Sequence, residues 1–301
     1  RPMMFLPNGF ETWFWDDQSA PPRRVSGVFS RRDLEKLMLR RLGKRKLTEV
    51  PIDEEITERY YQAAAIRAVC DNIEGGFRKS LLVMAAGTGK TRTAISLTDV
   101  LSRAGHVANA LFLADRTALV GQARDAYKAH LPDMSLCSLL TNRDDRNARM
   151  VFSTYPTILN AIDSAKNPDE SRLFTPAHFD LIIIDEAHRS IFHKYAAIFE
   201  YFDALLVGLT ATPKTDVDRN TYDFFEMEPG VPTYAYDYET AVWQDRVLVP
   251  YHNIEVQLKF LEEGIVYDEL PDDEKSKFEE EFAEEGQIPE VIPPGEINRF
   301  I

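Results

Sequence analysis

Met84-Ala85-Ala86-Gly87-Thr88-Gly89-Lys90-Thr91 stands between a short apolar run, Ser80–Met84, and a stretch of helical period, Thr91–Arg103, that closes on Ala104-Gly105. The first reads as a buried strand and the second as a helix. A glycine-rich turn from strand to helix aims backbone N–H groups at an anion at the helix N-terminus. In that reading Gly87, Thr88 and Gly89 form the cradle. Lys90 reaches the β- and γ-phosphates of a nucleoside triphosphate, and the Thr91 hydroxyl coordinates Mg²⁺. The general pattern G-x-x-x-x-G-K-[ST] asks for glycine where this chain has Met84. A chance strand–turn–helix ending in Gly-Lys-Thr is the competing reading, and the flanking sequence decides between them.

Outward from this loop the chain alternates. Tyr60–Ile73 has helical period. After Arg103 come a strand at Ala110–Ala114, a helix at Ala118–Lys128, a strand at Met150–Thr154 and a helix at Pro156–Ile162. A strand at Leu181–Ile184, a helix at Ala196–Phe202 and a strand at Leu205–Leu209 follow. Strand–helix alternation of this kind predicts an α/β fold, a parallel sheet with helices on both faces. Leu181–Ile184 is apolar without interruption, as a strand covered on both faces must be.

Ligands of such sheets sit beyond the carboxyl ends of the strands. Asp185-Glu186-Ala187-His188 follows the Leu181–Ile184 strand. Asp185 is placed there to hold Mg²⁺, and Glu186 to accept a proton from an attacking water. The plainer reading is a helix cap beside a solvated glutamate. Upstream, Gln62 in Arg59-Tyr60-Tyr61-Gln62 carries an amide that can pair with an adenine edge, and a ring here can stack on the base. A helix start with a solvated Gln is the alternative. Gly208-Leu209-Thr210-Ala211-Thr212-Pro213 ends another strand with two hydroxyls, or is a simple turn.

The 301 residues are 44% hydrophobic, which excludes a disordered or collagen-like chain. No apolar run is long enough to span a membrane. The net charge of −14 is unevenly spread. Residues 1–50 hold 11 basic and 6 acidic side chains, whereas residues 261–301 hold 3 and 14. Three segments are therefore expected: 1–54, a basic hairpin and helix; 55–260, the alternating domain; and 261–301, an acidic arm with one short helix at Glu274–Phe282. In the first, Asn8-Gly9 between apolar runs predicts a hairpin, and Arg31–Arg41 a helix with a solvated basic face. Cys70 and Cys137 are isolated thiols, which fits a reducing compartment and gives no metal motif. Asp245 with Gln257-Leu258-Lys259 matches a short nuclease pattern that recurs by chance.

Taken together, Gln62, Ala86–Thr91, Ala114-Asp115-Arg116, Phe152-Ser153-Thr154-Tyr155, Asp185–His188 and Thr210-Ala211-Thr212 form an ordered set. It resembles the first RecA-like domain (a P-loop NTPase fold) of superfamily 2 helicases and translocases. Leu82–Arg92, Leu111–Arg116, Phe179–Ile191 and Ala204–Lys214 resemble more closely the motor (restriction) subunit of bacterial type I restriction–modification enzymes. So do Asp218–Tyr222, Val231–Tyr236 and Gly264–Leu270. Those subunits also carry Met before the loop; Ala86 replaces their usual Thr.

The resemblance implies an ATP- and Mg²⁺-dependent DNA translocase, part of a site-specific deoxyribonuclease. It implies duplex DNA and the methyltransferase and specificity subunits as partners, and the bacterial cytoplasm as location, with no membrane. It assigns Arg59 and Gln62 to adenine, and Gly87, Thr88, Gly89, Lys90 and Thr91 to phosphate and metal. Asp185 and Glu186 serve as metal ligand and base. His188, Thr210 and Thr212 couple hydrolysis to movement, and Arg116, Ser153, Thr154 and Tyr155 meet the DNA backbone. Another superfamily 2 helicase, or a form that binds nucleotide without hydrolysing it, stays open. Arg1 at the start, and too few positions after 215 for a second motor domain, lead to the expectation of a fragment between the nuclease and that domain.

Overall fold

The computed structural model describes residues 3–17, 20–141, 148–163, 172–187, 194–213 and 221–251, together with 265–266, 275 and 291–292. The chain divides into two compact units, Arg1–Val249 and Pro250–Ile301. In the second, Ile265–Val266 pairs antiparallel with Val291–Ile292. The short helix expected at Glu274–Phe282 lies, except for Lys275, outside the described residues.

The first unit begins with three antiparallel strands, β1 (Met4–Pro7), β2 (Thr12–Asp16) and β3 (Ala20–Val25). The hairpin expected at Asn8-Gly9 forms, but its loop is longer than two residues, since Pro7 pairs with Thr12. Asn8 Oδ1 accepts from the N–H groups of Phe10 and Glu11, and Gly9 takes φ +91°. Strand β3 was hidden by Pro21-Pro22, which argue against a strand; they are tolerated because β3 is an edge. Helix α1 (Arg31–Gly43) starts in a capping box between Ser30 and Asp33.

Then follow α2 (Tyr60–Glu74), β4 (Lys79–Met84), α3 (Lys90–Arg103), β5 (Ala110–Ala114) and α4 (Thr117–His130). After these come β6 (Leu136–Ser138), β7 (Met150–Thr154), α5 (Tyr155–Asp163), β8 (Leu181–Asp185) and α6 (Ala196–Tyr201). Strand β9 (Leu205–Thr210), α7 (Thr221–Phe224) and β10 (Tyr234–Tyr236) close the set. Seven strands form one parallel sheet in the order β10-β4-β9-β8-β5-β7-β6. The two strands that the alternation did not reveal, β6 and β10, are three-residue edges, too short to carry a period.

Ile182, Ile183, Ile184 and Phe112 are fully buried because helices cover both faces. One core packs α2, α3 and α4 on the sheet through Val69, Leu97 and Tyr127. The other packs α5 and α6 through Ile158 and Ile198. Cys70 and Cys137 are buried thiols within them.

The basic residues of α1 divide: Arg31 and Arg32 are exposed, as a solvated face requires, but the others turn inward. Lys36 (2.9 Å) and Arg40 pair with Asp180, and Arg41 pairs with Asp16. Arg23 forks onto Asp203, both contacts at 2.6 Å, and Arg78 joins the same carboxylate at 2.8 Å. The apolar stripe of α1 is short, so opposite charge at the base of the sheet decides which way the helix faces. Burial pulls Asp203 up, but Arg78 and Arg23 outweigh it and hold the carboxyl below its usual range. The same balance, with Arg40 and Lys36 against burial, holds Asp180 low.

Removing one partner of such a group leaves uncompensated buried charge. Asp203→Ala should therefore lower unfolding stability by about 3–5 kcal/mol, measured by chemical denaturation at neutral pH. Because the folded-state values are depressed, the contribution of Asp180 and Asp203 is full above the unfolded carboxylate range near pH 4. It is lost as pH falls through the lower folded values.

Candidate active site

Parallel pairing sets Val83 of β4 level with Thr210 of β9, and Asp185 of β8 level with Leu209 of β9. The carboxyl ends of these three neighbours therefore share one rim. The glycine loop leaves β4 there, Thr210-Ala211-Thr212 leaves β9, and Asp185-Glu186 leaves β8.

The loop conformation depends on its glycines. Gly87 and Gly89 take φ +83° and +90°, left-handed values that side-chained residues rarely adopt. A Cβ on Gly89 would lie 2.3 Å from Gln62 Nε2. Thr88 is fully buried, and its hydroxyl donates to the Ala85 carbonyl at 2.6 Å. Lys90 opens α3 and its ammonium donates to the Met84 carbonyl at 3.4 Å, so it lies along the loop. Thr91, half-buried, follows on the first turn.

Gln62 is buried beneath this loop. Its Nε2 donates to the Thr88 carbonyl at 2.9 Å and faces the Gly89 carbonyl at 3.4 Å; the Tyr61 hydroxyl donates to Thr88 O at 3.1 Å. Two carbonyls against one end of the amide fix that end as the nitrogen. Gln62 Oε1 is then buried without a partner. A two-armed amide–adenine pair is therefore not available, since the donor arm is spent on the loop. The acceptor arm remains, and it suits an exocyclic amine. Arg59 is exposed and donates to the Tyr61 hydroxyl at 2.7 Å.

Asp185 accepts the Glu186 N–H at 3.1 Å. Burial, then the neighbouring Glu186 charge, push Asp185 up to about 6 against the opposing pull of Lys90. A carboxylate raised in this way is short of positive charge, which a divalent cation supplies. Among the described residues no three His, Cys, Asp or Glu side chains cluster as a metal cage. One carboxylate and one hydroxyl, completed by phosphate and water, suit Mg²⁺, which keeps part of its water shell. Glu186 itself takes φ +55°, strain of the kind stored at functional positions. The Ala187 N–H donates to Leu209 O at 2.9 Å and locks the turn onto β9.

Thr210 is buried, and its hydroxyl accepts the Thr212 N–H at 3.2 Å. Of the residues assigned to DNA, Arg116 is exposed and 3.6 Å from Asp115. Ser153, Thr154 and Tyr155 are buried. They lie on the same rim as Arg116, since Ala114 pairs with Thr154. His188 and Lys259 are outside the described residues. Asp245, the carboxylate of the nuclease pattern, accepts the hydroxyls of Tyr60 and Tyr236, and Tyr236 stacks on Tyr61 at 3.9 Å. Leu248 closes over the loop, 3.1 Å from where a Gly87 Cβ would stand. Sequence reading missed this tyrosine–aspartate–leucine cover; the closeness of Tyr234 and Tyr236 to Asp245 along the chain was its one signal.

A family described as type III restriction enzyme, res subunit, matches residues 55–215. The type I restriction enzyme EcoAI endonuclease subunit of Escherichia coli is 32% identical over 205 residues, which is 66% of this chain and 24% of that protein. The EcoKI endonuclease subunit of Escherichia coli K12 is 31% identical over 236 residues, 70% of this chain and 19% of that one. The chain thus spans about a quarter or less of the length of these relatives. The helicase domain of Hef from Pyrococcus furiosus shares the fold, with TM-score 0.51 and 20% identity over 82% of this chain and 54% of that one.

Gly89→Ala keeps a left-handed strain of about 1–2 kcal/mol and displaces Gln62 from Thr88. With the lost hydrogen bond, urea unfolding should show a total loss of roughly 2–3 kcal/mol. In a Gln62→Ala background the added cost of Gly89→Ala should shrink to the strain alone. Strict additivity would show that the amide does not brace the loop.

Proposed function

Because the chain belongs to the family described as type III restriction enzyme, res subunit, we propose that it is the first motor domain of an ATP-driven DNA translocase of the type I restriction kind. The single observation that carries the reading is the register of β4, β9 and β8. It brings a phosphate loop, a strained carboxylate pair and a hydroxyl pair to one rim.

In this reading Gly87, Thr88, Gly89 and Lys90 hold the triphosphate, Gln62 Oε1 accepts the adenine amine, and Arg59 lies at the edge of the base. Thr91 and Asp185 hold Mg²⁺, which when bound neutralises charge on the β- and γ-oxygens. Glu186 takes a proton from the water whose oxygen attacks the γ-phosphorus, while the bond to the ADP oxygen breaks. His188, Thr210 and Thr212 pass the change to the DNA-facing side. Thr210 is suited to this, because its hydroxyl orders the exit from β9 beside the loop.

Arg116 meets duplex DNA at a phosphate, a contact that positions without reading sequence. Ser153, Thr154 and Tyr155 order the neighbouring strand end, and they reach DNA only through their backbone or after a rearrangement. With 49 acidic against 35 basic side chains, DNA binding by this chain is weak and strongly salt-dependent. Methyltransferase and specificity subunits are the expected partners, and the bacterial cytoplasm the expected location. No helix among the described residues is long and apolar enough to cross a membrane. The division into 1–54, 55–260 and an acidic arm at 261–301 is kept as part of the proposal.

ATP hydrolysis should be followed under single-turnover conditions with and without duplex DNA. Glu186→Gln should cut the rate by about 10²–10⁴-fold and leave ATP affinity within threefold. Lys90→Ala should abolish nucleotide binding. Affinity with no turnover in the unaltered chain would instead identify a module that holds ATP without hydrolysing it.

A further inference from the structure

At the opposite rim of the sheet, where β4, β8 and β9 begin, a cavity of about 320 Å³ separates the N-terminal segment from the sheet. It lies the length of β4 away from the phosphate loop, roughly 17 Å at about 3.3 Å per residue. Arg23, Arg40, Arg41, Lys44 and Arg78 line it, against the carboxylates of Asp16, Glu74, Asp180 and Asp203.

The carboxylates are committed. Asp203 serves Arg23 and Arg78, and Asp16 serves Arg41. Asp180 serves Arg40, Lys36 and the N–H groups of Ala108 and Asn109. Glu74 is taken by the Leu47 N–H at 2.5 Å.

Donors are left over. Arg23 Nη1 is buried with no acceptor. The ammonium of Lys44, an exposed residue at the end of α1, makes no hydrogen bond or ion pair among the described residues, and the Arg78 side chain uses only Nη2. Counting Lys36, six cations meet four carboxylates, so the surplus is positive. Desolvation and then Arg40 push Lys44 down to about 8. Ion pairing alone accounts for the aspartates but leaves the spare donors, and the space between them, without a purpose. A fixed guanidinium fork with a free edge, beside an ammonium, is the donor set that phosphate oxygens fill. The rest of the wall is mostly apolar, with Ile73, Phe77 and Leu205, and includes His106.

We propose that this cavity is a second anion site, separate from the phosphate loop, that binds a phosphomonoester dianion on Lys44, Arg78 and Arg23. A ligand there ties α1 and β3 to the foot of β4, and so joins the N-terminal segment to the motor domain.

Calorimetric titration of orthophosphate and of AMP into the Lys90→Ala chain tests this, because that background removes the phosphate-loop site. Saturable binding at one site is expected, weakened tenfold or more by Lys44→Ala and retained by Lys44→Arg. The Lys44 side chain makes no structural bond, and its capping N–H is kept in both variants, so both should fold as the parent does. Tighter binding of AMP identifies a nucleotide source for the phosphate; equal or tighter orthophosphate identifies the free ion. Absence of saturable binding for both probes, or an affinity unchanged by Lys44→Ala, overturns the proposal.

Discussion

The pairing of β4 with β9, and of β9 with β8, runs parallel in a register that levels Val83 with Thr210 and Asp185 with Leu209. Residues separated by a hundred positions in the chain become neighbours through this register. A slip by one residue would send every side chain to the opposite face of the sheet and move Asp185 off the rim. The register holds because β8 is apolar from Leu181 to Ile184 between Asp180 and Asp185, so a slip would draw a carboxylate between the two helical layers. Burial thus fixes the geometry, and the polar residues take their places just where the apolar run stops.

Polar order at the rim follows from the same constraint. The loop after β4 has two left-handed glycines, and its carbonyls at Thr88 and Gly89 turn toward α2. Gly89 O also accepts from Thr93, but the Thr88 carbonyl has Gln62 and Tyr61 as its donors, which is why Gln62 serves the loop first and any base second. The turn after β8 puts a non-glycine residue, Glu186, at positive φ and ties it back through Ala187 to β9. Strain held by a neighbouring strand marks a position kept for chemistry rather than stability. Asp185, raised by burial and by Glu186, lacks the positive charge that would settle it.

Much of this was legible in the sequence. The strand–helix alternation carried the parallel sheet because fully buried strands leave continuous apolar runs, and the phosphate loop carried its own turn chemistry. Three things were not legible. Strand β3 was concealed by two prolines that only an edge permits. The inward turn of α1 depends on Asp180, far along the chain, and on Asp16, carboxylates whose burial no local pattern records. The double role of Gln62 depends on which carbonyls lie within 3.5 Å of it, a fact of tertiary packing. The cover formed by Tyr60, Tyr236, Asp245 and Leu248 escaped for the same reason.

The account requires that Thr91 at the end of the loop and Asp185 at the end of β8 act on one bound ion. A double-mutant cycle on Mg²⁺-dependent ATP affinity, with Thr91→Ala and Asp185→Asn singly and together, tests this directly. Two groups sharing one partner should be coupled by about 0.5–3 kcal/mol, so the double variant binds better than the sum of the single losses allows. Strict additivity would contradict the account, because it would mean that the two strand ends do not form one site.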